Sequence, residues 1–181
     1  MILELFPDNG EQLMQRGGLQ ITTTLDYEMQ QWAETAIEEN YGNLAKNDAN
    51  NAGMIYLDST NGDVLTYVGS ADYFNEEIDG EVDMVRALRQ PGSSIKPFIY
   101  ALGIEKLGLT MDSPIFDLPL TIGGNTPQNS DGQFNGLMSV KKSLAYSRNI
   151  APIKIFLSLG GEDIVKPFLW NLGLQSLSSK I

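Results

Sequence analysis

The apolar residues between positions 26 and 40 recur every three or four residues, which is the spacing of one face of an α-helix. Asp26 is a suitable N-cap for this helix, and the run before it, Leu19–Leu25, is rich in β-branched residues typical of a strand. The pattern therefore predicts a short strand followed by a helix that ends near Asn40. The apolar face that we expect to pack in a core consists of Met29, Trp32, Ala33, Ala36 and Ile37.

Two further apolar runs, Met54–Leu57 and Val64–Val68, lie on either side of the dipeptide Asn61-Gly62. An Asn-Gly pair between two such runs is a strong signal for an antiparallel β-hairpin. A hairpin is rarely a stable sheet by itself, so we expect its sheet to contain strands that lie outside this sequence. The polar segments on both sides of the hairpin, at 46–51 and 70–90, are predicted loops.

Glycine and proline divide the second half of the chain into short helices. The first is predicted from about Ser93 to Lys106, and a long turn-rich segment follows over Leu109–Leu137. Three more helices are predicted to start near positions 139, 150 and 163. At the other end of the chain, residues 1–18 have mixed character and are interpreted as a connector. The pattern as a whole predicts a mixed α/β (α+β) fold.

Composition and charge restrict the classes of function that the chain can have. The chain has 181 residues, of which 42% are hydrophobic, so it can form a core of ordinary size. The 12 Lys and Arg residues against 23 Asp and Glu residues give a net charge of −11 and no basic stripe, which argues against a nucleic-acid partner. No apolar stretch is long enough for a membrane span and no signal-peptide pattern is present, so any export signal is expected outside this sequence.

The chain contains neither His nor Cys. Disulfides, His-assisted nucleophiles and His- or Cys-ligated metal sites are therefore excluded, and we expect no metal and no cofactor. The remaining route to a strong nucleophile is a serine hydroxyl deprotonated by a neutral lysine. A Ser-x-x-Lys spacing on a helix places both side chains on one face, one turn apart. Two such pairs occur, Ser93/Lys96 and Ser139/Lys142.

The surroundings of the two pairs differ. Ser139 precedes two adjacent lysines and is interpreted as the N-cap of a helix with solvated lysines. Lys96 lies beside an apolar helix face, where desolvation lowers the pKa of a lysine and favours its neutral form. The helix start at Ser93 also directs unpaired backbone amides toward an anion. From the residues alone, Ser93/Lys96 remains either a nucleophile with its base or a structural cap followed by a surface lysine.

A third short motif, Ser147-Arg148-Asn149, lies between two predicted helices. Serine can relay a proton there, and asparagine can both donate hydrogen bonds to an amide ligand and accept them. The alternative for Ser147 and Asn149 is capping of the two helices.

These motifs, in this order, resemble the transpeptidase domain of class A penicillin-binding proteins, the bifunctional peptidoglycan synthases. The resemblance covers about residue 17 to the end of the chain. It implies a partial penicillin-recognising serine transpeptidase fold, with a β-hairpin from the central antiparallel sheet and the helical subdomain. Residues 1–18 would be the linker from a missing glycosyltransferase domain, and residues 19–181 an incomplete transpeptidase domain. The segments that carry the resemblance are Leu19–Asp26 with Gln30, Tyr67–Tyr73, Arg89–Tyr100, Gly136 with Ser139–Leu144, and Ser147–Pro152.

The resemblance also implies a reaction. Ser93 would attack the carbonyl of a D-Ala-D-Ala bond in a peptidoglycan stem peptide, Lys96 would accept its proton, Ser147 would pass a proton to the departing amine, and Asn149 would bind the peptide amide. β-Lactams would acylate the same serine. The protein would act on the extracytoplasmic face of the bacterial plasma membrane, held there only through a missing N-terminal anchor.

One motif of the family has no match. Lys106-Leu107-Gly108 loosely resembles its Lys-Thr/Ser-Gly strand, but it ends a predicted helix and is interpreted as a C-cap. We therefore expect an internal fragment that is weakly active or inactive alone. The alternatives are a β-lactamase or β-lactam sensor domain of the same superfamily, and a non-catalytic envelope interaction module. The segment Leu19–Asp26 and the hairpin favour the transpeptidase, because both precede Ser93 as they do in class A synthases.

Overall fold

The computed structural model describes residues 6–47 and 49–178. The chain divides into two compact units, Met1–Ala87 and Leu88–Ile181. Each unit combines helices with one two-stranded antiparallel sheet, within the described residues. No helix of this described part is both long enough and apolar enough to cross a lipid bilayer.

Within its described residues, the first unit contains two helices, a hairpin and a short 3-10 turn. Helix α1 (Gly10–Arg16) lies inside the segment predicted as a connector, so a regular element occurs there that the sequence pattern did not predict. Helix α2 (Tyr27–Lys46) ends at Lys46 rather than near Asn40. The strands have the predicted bounds, and Met54 pairs with Val68. The elements are α1 (Gly10–Arg16), α2 (Tyr27–Lys46), β1 (Met54–Leu57), β2 (Val64–Val68) and the 3-10 turn Glu76–Ile78.

Helix α2 begins as predicted and is tied to the hairpin. Asp26 Oδ1 accepts a hydrogen bond from the Met29 amide at 3.0 Å, which confirms the N-cap. The side chain of Gln30 then pairs with the backbone of Tyr67 on β2, donating to its carbonyl at 3.1 Å and accepting from its amide at 2.8 Å. These two bonds satisfy the backbone groups of a strand that would otherwise present an open edge.

The core of the first unit is small. Ala33 and Ile37 on α2 pack with Val68 on β2. Trp32 is 68% exposed, so its predicted place in this core is wrong. It lies at the edge of the apolar face, where it lines an open groove with Tyr56 on β1.

The run Leu19–Leu25 does not form the predicted strand. It has an irregular conformation and is joined to β2 only near its C-terminal end. Thr24 Oγ1 donates to the Val64 carbonyl at 2.7 Å, and the Asp26 amide donates to the Leu65 carbonyl at 2.9 Å. One side-chain and one backbone hydrogen bond thus take the place of the regular backbone ladder that its β-branched residues predicted.

The second unit starts with a 3-10 turn that continues directly into a helix. The predicted helix starts near positions 93, 139, 150 and 163 are confirmed to within a few residues. The predicted turn-rich segment contains two short strands that the sequence pattern missed. The elements are the 3-10 turn Gly92–Ile95, α3 (Lys96–Leu107), β3 (Pro114–Asp117), β4 (Gly136–Ser139), α4 (Val140–Ala145), α5 (Ile150–Ser158), α6 (Glu162–Asn171) and the 3-10 turn Gln175–Ser178.

Helices α3 and α5 pack closely at the centre of this unit. A Cβ atom at Gly103 would lie 2.7 Å from Ile155 Cγ2, so only glycine permits this separation. Helix α3 ends at Gly108, whose φ of +65° is the left-handed conformation of a C-cap and confirms the interpretation of the Lys-Leu-Gly triplet. The buried core consists of Ile99, Tyr100, Leu102, Val140, Ala151, Ile155, Leu159, Val165 and Leu169.

Candidate active site

Lys96 is the first residue of α3, and its side chain is buried. The residue is 7% exposed and borders an apolar groove of about 330 Å³ lined by residues such as Ile99 and Val165. Desolvation by this burial lowers the pKa of Lys96 below its usual value, and the positive charge of Arg148 lowers it further. The sequence-based expectation of a desolvated lysine is therefore confirmed.

The ammonium group of Lys96 points at the turn between α4 and α5. Its Nζ donates to the Ser147 carbonyl at 2.6 Å, to Ser147 Oγ at 3.1 Å and to Asn149 Oδ1 at 2.7 Å. Three donors thus meet three acceptors, which is the full capacity of a lysine ammonium. Residues more than fifty positions apart in the sequence are brought together by the packing of α3 against α5.

The turn that holds Ser147 is a Schellman motif. The Ser147 amide donates to the Leu144 carbonyl and the Arg148 amide to the Ser143 carbonyl, each at 2.9 Å. In this motif the residue after the C-cap adopts the left-handed conformation, which glycine usually supplies. Here Ser147 occupies the position with φ = +50°. Ser147 therefore combines a strained backbone with a hydroxyl that contacts a buried lysine, which makes it a candidate functional residue.

Ser93 lies in the 3-10 turn just before α3. Its side chain is exposed and makes no hydrogen bond to another described residue, so the expected contact between Ser93 Oγ and Lys96 Nζ is not formed. The reason is that all three N–H groups of Lys96 are directed at Ser147 and Asn149. The neighbouring Ser94 hydroxyl donates to the Pro91 carbonyl instead and stabilises the turn.

The second serine–lysine pair has the predicted structural role. Ser139 Oγ accepts a hydrogen bond from the Lys142 amide at 3.3 Å and caps α4. The side chains of Lys141 and Lys142 are exposed. The same spacing therefore gives a helix cap here and a buried lysine at Lys96.

Asn149 is held by the loop between β3 and β4. Its Nδ2 donates to the Gln128 carbonyl at 2.7 Å, and its backbone amide donates to Asn129 Oδ1 at 2.7 Å. The side chain does not cap α5, so the capping alternative for Asn149 does not hold.

Arg148 anchors the same loop from inside the unit. Its Nε donates to Asp117 Oδ2 and its Nη1 to Asp131 Oδ2, both at 2.8 Å, and its Nη2 donates to the Gln133 carbonyl. Burial acts to raise the pKa of Asp117, but hydrogen bonds from Asn129, the Asn135 amide and Arg148 outweigh it and hold that pKa below its usual value. The sequence pattern did not point to Asp117 or Asn129, and it indicated Arg148 only as the middle residue of its motif.

Comparison with known proteins shows the family of the chain. The model of the penicillin binding protein transpeptidase domain matches residues 52–175. Penicillin-binding protein 1C of Escherichia coli (strain K12) is 33% identical over 154 residues, which is 85% of this chain and 20% of that protein. Penicillin-binding protein 1A of Neisseria gonorrhoeae is 33% identical over 114 residues, 59% of this chain and 14% of that protein.

Solved structures agree. The structure of PonA1 from Mycobacterium tuberculosis in complex with penicillin V has a TM-score of 0.75 and 26% identity, and covers 99% of this chain and 45% of that one. Penicillin-binding protein 1A of Haemophilus influenzae has a TM-score of 0.58 and 34% identity, over 68% of this chain and 18% of that one. The chain thus spans a fifth or less of the length of these curated relatives. It belongs to the penicillin-binding protein transpeptidase domain family, of whose fold it contains a part.

Proposed function

We propose that this chain carries the nucleophile and proton-transfer residues of a peptidoglycan D,D-transpeptidase, a serine acyltransferase that cross-links stem peptides. The observation that supports it most directly is the buried Lys96 Nζ, which lies 3.1 Å from Ser147 Oγ and 2.7 Å from Asn149 Oδ1. A desolvated lysine beside a hydroxyl is the arrangement needed when a chain has no histidine to act as a base. Residues 1–18 are proposed as the linker and 19–181 as part of the transpeptidase domain.

The proposed reaction begins at Ser93. Its Oγ attacks the carbonyl carbon of the D-Ala-D-Ala amide, and its proton passes to the neutral amine of Lys96. The tetrahedral intermediate collapses as the C–N bond breaks, and Ser147 passes the proton to the departing D-Ala amine. The acyl ester on Ser93 is then attacked by the amine of an acceptor peptide, which completes the cross-link and restores the serine. Asn149 binds the amide of the donor peptide.

As a protonated ammonium, Lys96 uses all three of its N–H groups in these hydrogen bonds and has no lone pair. As a neutral amine it keeps two N–H groups and has one lone pair, which must be free for the proton of Ser93, so Lys96 must lose a proton and release one of these contacts. The lowered pKa of Lys96, caused by burial and then by Arg148, reduces the free energy needed for that step. Substrate binding would bring Ser93 and Lys96 into hydrogen-bond distance, as catalytic contacts often tighten only in the complex.

β-Lactams are the proposed inhibitors, because the related PonA1 structure holds penicillin V. The proposed location is the extracytoplasmic face of the plasma membrane, where the stem peptides are. The proposed activity belongs to the full-length gene product, and we expect this chain alone to be weakly active or inactive.

The test is covalent labelling of the full-length gene product with a fluorescent penicillin. We expect the label on the peptide that contains Ser93, identified by mass spectrometry, and no label in Ser93→Ala. Ser94→Ala is the matched control, because that hydroxyl only donates to the Pro91 carbonyl in the same turn. Label that persists in Ser93→Ala and disappears in Ser94→Ala would contradict the assignment.

Assays on the same protein also distinguish the transpeptidase from the alternative functions. Release of D-Ala from a stem pentapeptide, with transfer to an acceptor amine, supports the transpeptidase. Rapid turnover of the penicillin would indicate a β-lactamase, and a stable label without peptide transfer would indicate a sensor. A folded protein with no label and no transfer would indicate a non-catalytic module.

A further inference from the structure

We propose that Asn129, held by Asp117 and Arg148, is a positioning residue that orients the side-chain amide of Asn149 toward Lys96. The inference deepens the proposed function and rests on it, since Asn149 is the residue proposed to bind the donor peptide. Asn129 lies on the loop between β3 and β4, which the sequence pattern indicated only as a turn-rich excursion.

The first step is the orientation of Asn149. Its Nδ2 faces the Gln128 carbonyl at 2.7 Å, and its Oδ1 faces Lys96 Nζ at 2.7 Å. The reversed amide would place a donor against a donor and an acceptor against an acceptor. The loop carbonyl and the lysine therefore select one orientation together, and the loop must stay in place for that selection to work.

The second step is the attachment of the loop to the turn. Asn129 Oδ1 accepts the Asn149 backbone amide at 2.7 Å. The other end of the same side chain, Nδ2, donates to Asp117 Oδ1 at 2.9 Å and to the Gln133 carbonyl at 2.8 Å. Asn129 is only 4% exposed, so each of these groups would be costly to leave unpaired.

The third step is the anchor. Asp117 is fully buried on β3, and its Oδ2 accepts from Arg148 Nε at 2.8 Å and from the Asn135 amide at 3.0 Å. Arg148 stands between Ser147 and Asn149 in the sequence, so it ties the turn itself to β3. A buried carboxylate persists only while it is paired, which makes this anchor sensitive to the loss of either partner.

A double-mutant cycle in the full-length gene product tests the inference. Asn129→Ala should slow acylation by a fluorescent penicillin about tenfold or more, because displacement of a binding group by a fraction of an ångström has effects of that size. In the Asn149→Ala background the same change should have no further effect, since its target is gone. An equal loss in both backgrounds, or no loss in either, would overturn the proposal.

Asn125→Ala is the matched control. Asn125 is an exposed asparagine of the same loop, and its backbone pairs with Ile122 while its side chain makes no hydrogen bond to another described residue. We expect its acylation rate to equal that of the wild type in both backgrounds. A loss equal to that of Asn129→Ala would mean that any change in the loop suffices, and would also overturn the proposal.

A second readout does not depend on acylation. The side-chain amide resonances of Asn149, assigned by their loss in Asn149→Ala, should shift in Asn129→Ala and stay unchanged in Asn125→Ala. If Asn129→Ala does not fold, Asn129→Ser replaces it, because its hydroxyl is too short to reach Asn149 and Asp117 together. Unchanged resonances in the folded variant would overturn the positioning role. A wild-type protein that is never acylated would instead contradict the proposed function, and the resonances would still decide this inference.

Discussion

A serine lies beyond each end of helix α4, and the two serines have opposite effects on its stability. Ser139 is the N-cap, with extended backbone and an Oγ that accepts the Lys142 amide. Serine is among the preferred residues there and stabilises the helix. Ser147 follows the other end with φ = +50°, a conformation that is unfavourable for any residue with a Cβ. Ser139 therefore stabilises helix α4, and the backbone conformation of Ser147 destabilises its C-terminal end.

The lysines near these two serines differ in the same way. Lys142, one turn after Ser139, is exposed to solvent. Lys96, which contacts Ser147, is buried and has three hydrogen-bond acceptors. A Ser-x-x-Lys spacing by itself therefore does not distinguish a helix cap from a candidate catalytic pair. The burial of the lysine, and a second serine kept at a strained position beside it, distinguish the candidate site from a helix cap.

Substitution of the two lysines should give the largest difference. Lys96→Met in the full-length gene product should slow penicillin acylation by about 10²- to 10⁴-fold, the usual effect of removing a general base. Lys142→Met should leave the rate unchanged, because that side chain is exposed and lies at the capped end of α4. The measurement is the second-order rate constant of labelling. Equal effects of the two substitutions would remove the distinction between the pairs.

Ser147→Gly should improve the fold while it impairs the reaction. Glycine relieves the left-handed strain, which is worth about 1 kcal/mol, and the backbone carbonyl of residue 147 still accepts from Lys96. Loss of the hydroxyl should slow acylation by about tenfold or more, because it removes a proton-transfer group. Urea unfolding and labelling rates measure the two effects.

Ser147→Ala is the control for this trade-off. It removes the same hydroxyl but keeps the Cβ, so acylation should fall equally without the gain in stability. If Ser147→Gly is no more stable than Ser147→Ala, the strain at this position is not what glycine would relieve.

The sequence predicted the helices and side chains of this site better than the buried contacts that hold them in place. Apolar periodicity and capping residues located the starts of α3, α4 and α5, and the Asn-Gly turn located the hairpin of the first unit, since those signals are local. The Ser-x-x-Lys spacing and the Ser-Arg-Asn triplet pointed to Lys96, Ser147 and Asn149, the resemblance implied their roles, and the fold brings the three together. Nothing local pointed to Asp117, which lies 31 residues from Arg148 and contacts it only after β3 and α5 have packed.

One wrong prediction and one feature that was not predicted have different physical causes. Leu19–Leu25 has strand-forming residues but is joined to β2 near its end by Thr24 and Asp26, because tertiary contacts override a weak propensity. No glycine follows α4, so no residue type predicted the left-handed backbone at Ser147. The sequence did indicate that a helix ends before Asn149 without a glycine, and a non-glycine residue in the left-handed conformation could have been inferred from that.

The pH dependence of stability tests the burial of Lys96. Burial, and then the charge of Arg148, lower its pKa from 10.5, so the unfolded chain binds this proton more tightly than the folded one. Folding is therefore penalised at low pH. The penalty disappears as the pH rises from the lowered pKa of the folded protein to the ordinary pKa of the unfolded chain, by ~1.4 kcal/mol per pH unit between the two. Lys96→Met should abolish this contribution.

The measurement is urea unfolding of the 181-residue chain between about pH 7 and pH 11, followed by tryptophan fluorescence. In a Trp32→Phe background, Trp170 on α6 is the remaining tryptophan of this chain and reports on the second unit. The free energy of unfolding of Lys96→Met minus that of the wild type should decrease as the pH rises. Lys142→Met controls for the substitution itself. A difference that stays constant over this range would contradict a desolvated Lys96.

The smallest effect is expected at the other end of α4. Ser139→Ala removes the acceptor for the Lys142 amide, which lies 3.3 Å from Ser139 Oγ, and should lower the free energy of unfolding by about 1 kcal/mol. Ser139→Asp keeps an acceptor at the N-cap and should restore the stability. Neither change should alter the rate of penicillin labelling, because Ser139 contributes to the helix and not to the proposed proton transfer. A variant that labels slowly while it unfolds like the wild type would place Ser139 in the reaction, and the two ends of α4 would then no longer differ in kind.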